Sequence, residues 1–371
     1  EYNEFLAKHG GSSNAYTAEC VTNYYFGVSP DHLEGALDRF SQFFLAPLFT
    51  VAATEREINA VDSEHSMRIT DDGRRSYASL LLDANPKHPL HWGSGNAQSL
   101  RDVPREQGRD PHAEVVGFYR ENYTSEDMTL AVLGREPLSE LRAMVEQRFA
   151  GVRKTGKRAL RGDLHGGDEP AIRAEDFAGI VLRTPSKDIR TMSFSWQLPR
   201  WQVPLFANKP SSYASFILGH EGEGSLLSAL KSRGWASSLS AGVDNFSSFS
   251  QFEVSVILTE AGLDHVEEVG ALIFCLVRLL RATPVPQWVL DEQRQLRDIR
   301  FRYADDPQPY GLVNTLAKNL QDYPPNEVLA GPFKIPAPDA AKSAEILQCL
   351  SVDGVRVEIA AKRFKEQTTS A

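Results

Sequence analysis

Cysteine is scarce. Cys20, Cys275 and Cys349 are the only cysteines in 371 residues, an odd number, scattered and without a C-x-x-C pair. That usage excludes a disulfide framework and a Cys-type structural zinc site, and fits a reducing, cytoplasmic compartment. Long apolar runs are lacking as well. The longest, residues 271–280, is broken by Arg278 and falls far short of the roughly 20 residues a membrane span needs. An excess of positive charge is absent: 40 Lys and Arg stand against 49 Asp and Glu, for a net charge of -9. Such a balance argues against nucleic acid as a partner, because phosphate binding rewards clustered Lys and Arg. There is no G-x-S-x-G, no H-E-x-x-H and no H-x-x-E-H anywhere in the sequence. A basic-then-apolar leader is lacking too, and the first residue is Glu1. The expectation is that a leader has been removed or that the sequence begins partway through a longer protein.

What is present is an ordinary globular composition, 42% hydrophobic and 24% charged, in a chain long enough for two domains. Periodicity predicts α+β units in which helices pack on one face of mostly antiparallel sheets. Residues 1–9 read as the end of a helix stopped by Gly10-Gly11. Two short strands follow, Ser13–Ala18 and Asn23–Val28, and then a helix whose stripe is Leu33, Ala36, Leu37, Phe40, Phe43 and Phe44. Thr54-Glu55-Arg56-Glu57 reads as a capping box opening the next helix, with Glu57 as its third residue. Further on, a helix is expected from about His112, a strand at Met128–Leu133, and a helix with Leu138, Leu141, Val145 and Phe149 turned inward. Gly151–Gly167, rich in Gly, Lys and Arg, reads as the linker between domains 1–160 and 161–371.

The second domain shows strand alternation at Phe194, Trp196 and Leu198 and again at Phe252, Val254, Val256 and Leu258. Helices are expected over 263–281 and 287–304, and a last strand over 355–361. The order strand, helix, Pro-marked break, helix occurs twice, from Asn23 and from Gln251, which points to two homologous units.

Chemistry is thinly signposted. Glu57 and Glu64 lie seven residues apart, two turns, and so share a helix face to within about 20°. On spacing alone a solvated face is the better reading of the pair. His88 and His91 sit in an irregular Pro-rich stretch and read as loop residues. Gly219–Gly224 precedes a helix, but Glu221 and Glu223 argue against a phosphate cradle there. Cys275 reads as core.

Several blocks nevertheless resemble the insulinase (pitrilysin and nardilysin) family of zinc metallopeptidases. They are YNEFLAKHGGSSNAYTAECVTNYYF from Tyr2, HLEGALDRFSQFFLAPLF from His32, EREINAVDSEH from Glu55 and NPKHPLHWGSGNAQSL from Asn85. GHEGEGSLLSALKSRGW from Gly219 and LTEAGLDHVEEV from Leu258 extend the resemblance nearly end to end and in the same order. It implies two homologous α/β sandwich domains, the second catalytically inactive, and hydrolysis of short to medium peptides by a zinc-activated water. By this resemblance Glu64 is a zinc ligand and Glu57 its supporting carboxylate. Ser13, Asn14, Ala15 and Tyr16 belong to an edge strand that pairs with an extended peptide substrate. Gly219, Glu221, Leu239, Ser240 and Ala241 resemble an exosite for a substrate's N-terminal end.

The same resemblance places H-x-x-E-H, with two zinc ligands and the general base, upstream of Glu1. It also implies a C-terminal half, or a partner chain, that closes a chamber, and leaves room for homo-oligomers. One carboxylate does not hold Zn²⁺, which takes three protein ligands in catalytic sites, so the chain alone is expected to bind no zinc and to be inactive. No catalytic residue is expected within it. The repeat supplies no substitute, because counting from His265 puts Leu290 and Arg297 where Glu57 and Glu64 stand. The alternatives are a non-catalytic peptide-binding or decoy subunit, and an expressed remnant.

Overall fold

The computed structural model describes residues 1–18, 21–88, 93–156, 171–198, 207–246 and 249–367. In chain order its principal elements begin with α1 (Tyr2–Lys8), β1 (Ser12–Thr17), β2 (Thr22–Gly27), α2 (Leu33–Leu45), α3 (Val51–Arg68) and α4 (Asp72–Leu82). Next come α5 (Pro111–Asn122), α6 (Leu138–Phe149), β3 (Gly179–Arg183), β4 (Thr191–Leu198), α7 (Ser212–Leu218) and α8 (Leu226–Ser232). The series closes with β5 (Ala236–Asn245), β6 (Ser250–Leu258), α9 (Val266–Ala282), α10 (Gln287–Arg302), α11 (Pro309–Asp322), α12 (Ala340–Cys349) and β7 (Val355–Ala360). No single helix among the described residues is long and apolar enough to cross a membrane.

Two compact units form, and they interleave. The first is Glu1–Met67, Ser94–Leu164 and Ala304–Pro332; the second is Arg68–Gly93, His165–Tyr303 and Phe333–Ala371. The expected division at 160/161 thus lies beside one crossing, at 164/165, and the chain crosses elsewhere too. Most of the expected linker lies outside the described residues.

In the first unit β1 and β2 form an antiparallel hairpin with Ala15 opposite Tyr24 and Asn14 opposite Tyr25. Successive side chains alternate faces. Phe26 therefore meets Phe40 of α2 at 5.0 Å, and Tyr24 meets Phe44 at 5.7 Å. From the other face Tyr25 contacts Tyr310 of α11 at 5.0 Å, and Asn23 Nδ2 donates to Asn314 Oδ1 at 2.9 Å. Leu33 and Leu37 of α2 are buried against Leu141 of α6.

Four local expectations change, and one is Cys275, which is exposed on α9 rather than part of the core. Helix α3 begins at Val51, and Thr50 Oγ1 accepts from the Ala53 N–H at 3.2 Å, so Thr50 rather than Thr54 caps it. Glu57 is consequently a mid-helix residue and loses the capping explanation. Residues 128–133 run without a ladder partner among the described residues; Thr129 Oγ1 donates instead to the Ala317 carbonyl of α11 at 2.8 Å. Leu138, first in α6 after Pro137, is 84% exposed, whereas Leu141 one turn on is buried.

The second unit is built on a five-stranded sheet, β3-β7-β4-β6-β5, antiparallel apart from the parallel β3–β7 pair. Phe194, Trp196, Phe252, Val254 and Val256 point to one face, where they pack with Leu218, Leu230, Ile273, Val277 and Ile346 of the helices. Trp196 is fully buried and donates its indole N–H to the Ser351 carbonyl at 2.8 Å. Burying aromatic and branched side chains on this scale, at roughly 1.5–3 kcal/mol each, is what holds helices on that face.

Helix α4 buries Leu80 in a smaller apolar cluster with Ile172, Phe177 and Phe249, and charge ties it to the sheet as well. Buried Asp72 accepts from the Ser186 N–H at 2.6 Å, the Lys187 N–H at 2.9 Å and Arg183 at 3.3 Å. Arg183 also bonds Glu358 of β7 at 2.9 Å, which accepts from Ser76 of α4 at 2.8 Å. Arg356 of β7 pairs with Asp83. Burial pushes the Asp72 carboxyl up, but the Lys187 and Ser186 amides and then Arg183 and Arg75 outweigh it and hold it below the usual carboxylate range. A depressed native value means that the stabilisation is complete above the unfolded value near 4 and is lost as pH falls through the folded one. Asp72→Asn is expected to cost about 2 kcal/mol in urea unfolding at pH 7, and the gap to the parent protein should shrink toward pH 3.

Candidate functional site

The open edge of β1 is the first feature with a chemical use. The hairpin closes through the Ala18 N–H to the Val21 carbonyl at 2.8 Å. In an antiparallel pair the inward-bonding residues alternate, so Asn14 and Tyr16 bond toward β2 while Ser13, Ala15 and Thr17 turn their main-chain N–H and C=O outward. Ala15 bears this out: its N–H is taken by Asn14 Oδ1 at 2.8 Å rather than by β2. No strand among the described residues pairs on that side. A recess of about 490 Å³ adjoins the strand, lined by Tyr2, Ser13, Ala15, Tyr24, Phe40 and Phe43 among others. These aromatics gave helix and strand signals in the sequence, but no sign that they border an opening.

Glu57 and Glu64 both lie in α3, unbroken from Val51 to Arg68, and both are exposed. Two turns of continuous helix put them on one face, as their spacing required. A zinc site does not fit these residues alone, because no three His, Cys, Asp or Glu among the described residues are grouped to hold a metal. At the corresponding places in the second unit Leu290 is buried and Arg297 donates to the Phe333 carbonyl at 3.2 Å. His88 is buried, and His91 lies outside the described residues.

The exosite residues come together only in part. A Cβ on Gly219, just after α7, would stand 2.8 Å from the Ser215 carbonyl oxygen and 3.3 Å from the Ala241 nitrogen of β5. Glycine is therefore what lets the end of α7 reach the strand. Glu221 is exposed in the following loop, where the His220 imidazole Nδ1 accepts from the Gly222 N–H at 3.1 Å. Leu239 is buried in the core at 5% exposure, while Ser240, exposed, alternates to the opposite face. Its strand, β5, ends the sheet and so has an open edge of its own.

The sequence matches the family described as peptidase M16 inactive domain over residues 112–297, half the chain. The insulinase (peptidase family M16) description matches residues 1–80. This chain belongs to the insulinase family, peptidase family M16. The middle or third domain of that family matches residues 301–371. Insulin-degrading enzyme of Homo sapiens is 38% identical over 99% of this chain, which covers 36% of that protein. An insulin-degrading enzyme-like protein of Arabidopsis thaliana, described as peroxisomal, is 36% identical, with 38% of it covered. The crystal structure of pitrilysin superposes with a TM-score of 0.89 at 26% identity, over 98% of this chain and 38% of that one. A protease from Helicobacter pylori shares the fold, with a TM-score of 0.68 at 15% identity over 97% of this chain and 84% of its own. The chain thus spans little more than a third of the length of its insulin-degrading-enzyme relatives. The M16 fold, mixed α/β with mainly antiparallel strands, agrees with the expected class.

Gly219→Val is expected to destabilise the second unit by about 1–3 kcal/mol, because its side chain meets backbone that yields little. Urea unfolding with far-UV circular dichroism measures the loss.

Proposed function

We propose that this chain forms the peptide-binding part of an M16 zinc metalloendopeptidase, with β1 as the strand on which an extended peptide is laid. The observation that carries the reading is the row of outward main-chain groups at Ser13, Ala15 and Thr17, which has no partner strand among the described residues. Main-chain pairing is indifferent to most side chains, so such an edge accepts many peptide sequences. The neighbouring aromatic recess offers apolar contact to side chains that alternate off the added strand.

In this reading Glu64 is one ligand of a zinc ion whose other ligands come from an H-x-x-E-H segment, and Glu57 orients the site. Zinc supplies an activated water and a polarised carbonyl when it is bound. The residues of this chain present the peptide. Its family membership and its exposed, co-facial Glu57 and Glu64 support the enzyme reading. The match of residues 112–297 to an inactive M16 domain favours a second reading, a peptide-binding subunit without catalysis.

Two outcomes test the proposal. A fluorescent extended peptide should bind the chain in an anisotropy titration, and Ala15→Pro, which deletes an outward donor without touching the β1–β2 ladder, should weaken binding about tenfold or more. Unchanged affinity would contradict strand addition. By itself the chain should retain no stoichiometric zinc after dialysis. Joined behind an H-x-x-E-H segment from a relative, it should retain one zinc, and Glu64→Gln should release it while Glu57→Gln lowers affinity about 10–100-fold. Metal content by mass spectrometry decides this, and zinc held equally by Glu64→Gln would show that another group is the ligand.

A further inference from the structure

One contact is built twice in this chain, once in each unit, with different chemistry. In each, the residue that leads into the first strand of a hairpin stacks on the histidine that leads into the following helix. In the second unit these are Trp235, just before β5, and His265, just before α9, with ring centres 4.6 Å apart and 21° between planes. In the first they are His9, between α1 and β1, and His32, just before α2, at 3.6 Å and 28°. The main chain repeats as well. The Trp235 carbonyl accepts from the Thr259 N–H at 3.0 Å, and the His9 carbonyl from the Ser29 N–H at 3.1 Å.

The two pairs differ in how they meet a proton. His265 Nδ1 lies 3.1 Å from Glu268, and its partner is an indole that takes no proton, so a charge on His265 is matched. Three residues on from His32 stands Gly35 in place of that glutamate. Phe5 of α1 occupies the space, since a Cβ on Gly35 would stand 2.9 Å from its Cζ. The Phe5 ring lies 4.5 Å from that of His9, and the Arg39 guanidinium of α2 sits over it at 4.1 Å. Nearby acids are engaged elsewhere: Glu4 with Lys8 at 2.9 Å, Asp31 with Arg135, and Glu34 with Arg148 at 2.6 Å. The charges that reach His9 are those of His32, Lys8 and Arg39; no carboxylate is among them, Glu1 and Asp38 included. Desolvation, and then these three cations, hold the His9 imidazole below its ordinary range. Two imidazolium rings at such a separation repel, so the pair does not take its second proton without parting.

We propose that the His9–His32 stack is an acid-sensitive latch, which holds α1 against the start of α2 at neutral pH and releases α1, and with it the first residues of β1, on double protonation. Strand β1 begins at Ser12, three residues after His9, so the latch fixes one end of the strand. A depressed native value means that its contribution is complete above the unfolded value near 6.5 and is lost as pH falls through the folded one. The Trp235–His265 stack keeps its hold over the same range. Any effect on peptide affinity rests on the peptide-binding reading, whereas the release of α1 does not.

Hydrogen exchange of the whole chain at pH 7.5 and pH 5.5, corrected for the intrinsic effect of pH, tests the release. Amides of α1 and of residues 12–14 should exchange about tenfold faster or more at pH 5.5, while those of α9 should not change. His9→Trp, which copies the pair of the second unit and leaves one titrating ring, should abolish the difference. Where thermal melts show that variant misfolded, His9→Gln, which takes no proton, replaces it with the same expectation. A difference that survives the substitution, or none in the parent chain, would overturn the latch. An extended peptide without ionisable groups, followed by anisotropy, should bind the parent about tenfold more weakly at pH 5.5 and the variant equally at both values. Equal affinity of the parent at both values, with α1 protected throughout, would overturn the latch and leave the peptide-binding reading intact. No binding at either value, with α1 released as expected, would remove that reading and leave the latch standing.

Discussion

An antiparallel ladder satisfies main-chain groups on one side of a strand at a time, and the functional features of this chain follow from that. At β1 the bonds to β2 use alternate residues, which obliges Ser13, Ala15 and Thr17 to present their N–H and C=O outward. At β5 the same geometry leaves an edge, and the period-two alternation of β6 sends Phe252, Val254 and Val256 into the core and Gln251 and Glu253 to the opposite face. Outward main-chain groups at an edge either meet water, a local side chain or another strand. Asn14 provides the local side chain for Ala15 at 2.8 Å, which keeps the edge satisfied until a peptide replaces it.

The second unit shows how two kinds of attachment divide the work. Apolar burial around Trp196, Phe194 and Phe252 fixes helices to one face without specifying charge. Helix α4 lies against the polar side through Asp72, Arg183 and Glu358, where removing one partner strands another in a buried place. That attachment is why residues 68–93, next to the first unit in sequence, belong to the second.

Much of this was legible in the sequence because it depends on local period. Strands at 191–198 and 250–258 and the long helices at 33–45, 266–282 and 287–302 follow their apolar spacing, whereas the polar strand at 12–17 is marked by the turn residues before it and the aromatic strand after it. Thr54 carries a capping signature, yet Thr50 reaches Ala53 first, so α3 starts about one turn earlier than that signature implies. Residues 128–133 alternate like a strand, but a strand also needs a partner, and Thr129 and Gln321 meet each other and α11 instead. The facing of Glu57 and Glu64 was fixed by spacing, whereas their chemistry came only through family resemblance, since two exposed carboxylates on a helix carry no signature of their own.

Hydrogen exchange at β1 with and without a saturating extended peptide tests the central claim most directly. Amides of Ser13, Ala15 and Thr17 face outward and should gain strong protection when the peptide is added, while those of Asn14 and Tyr16, already bonded to β2, should change little. Alternating protection of this kind is what strand addition requires. Uniform protection along 12–17, or none on a peptide that binds elsewhere, would contradict it.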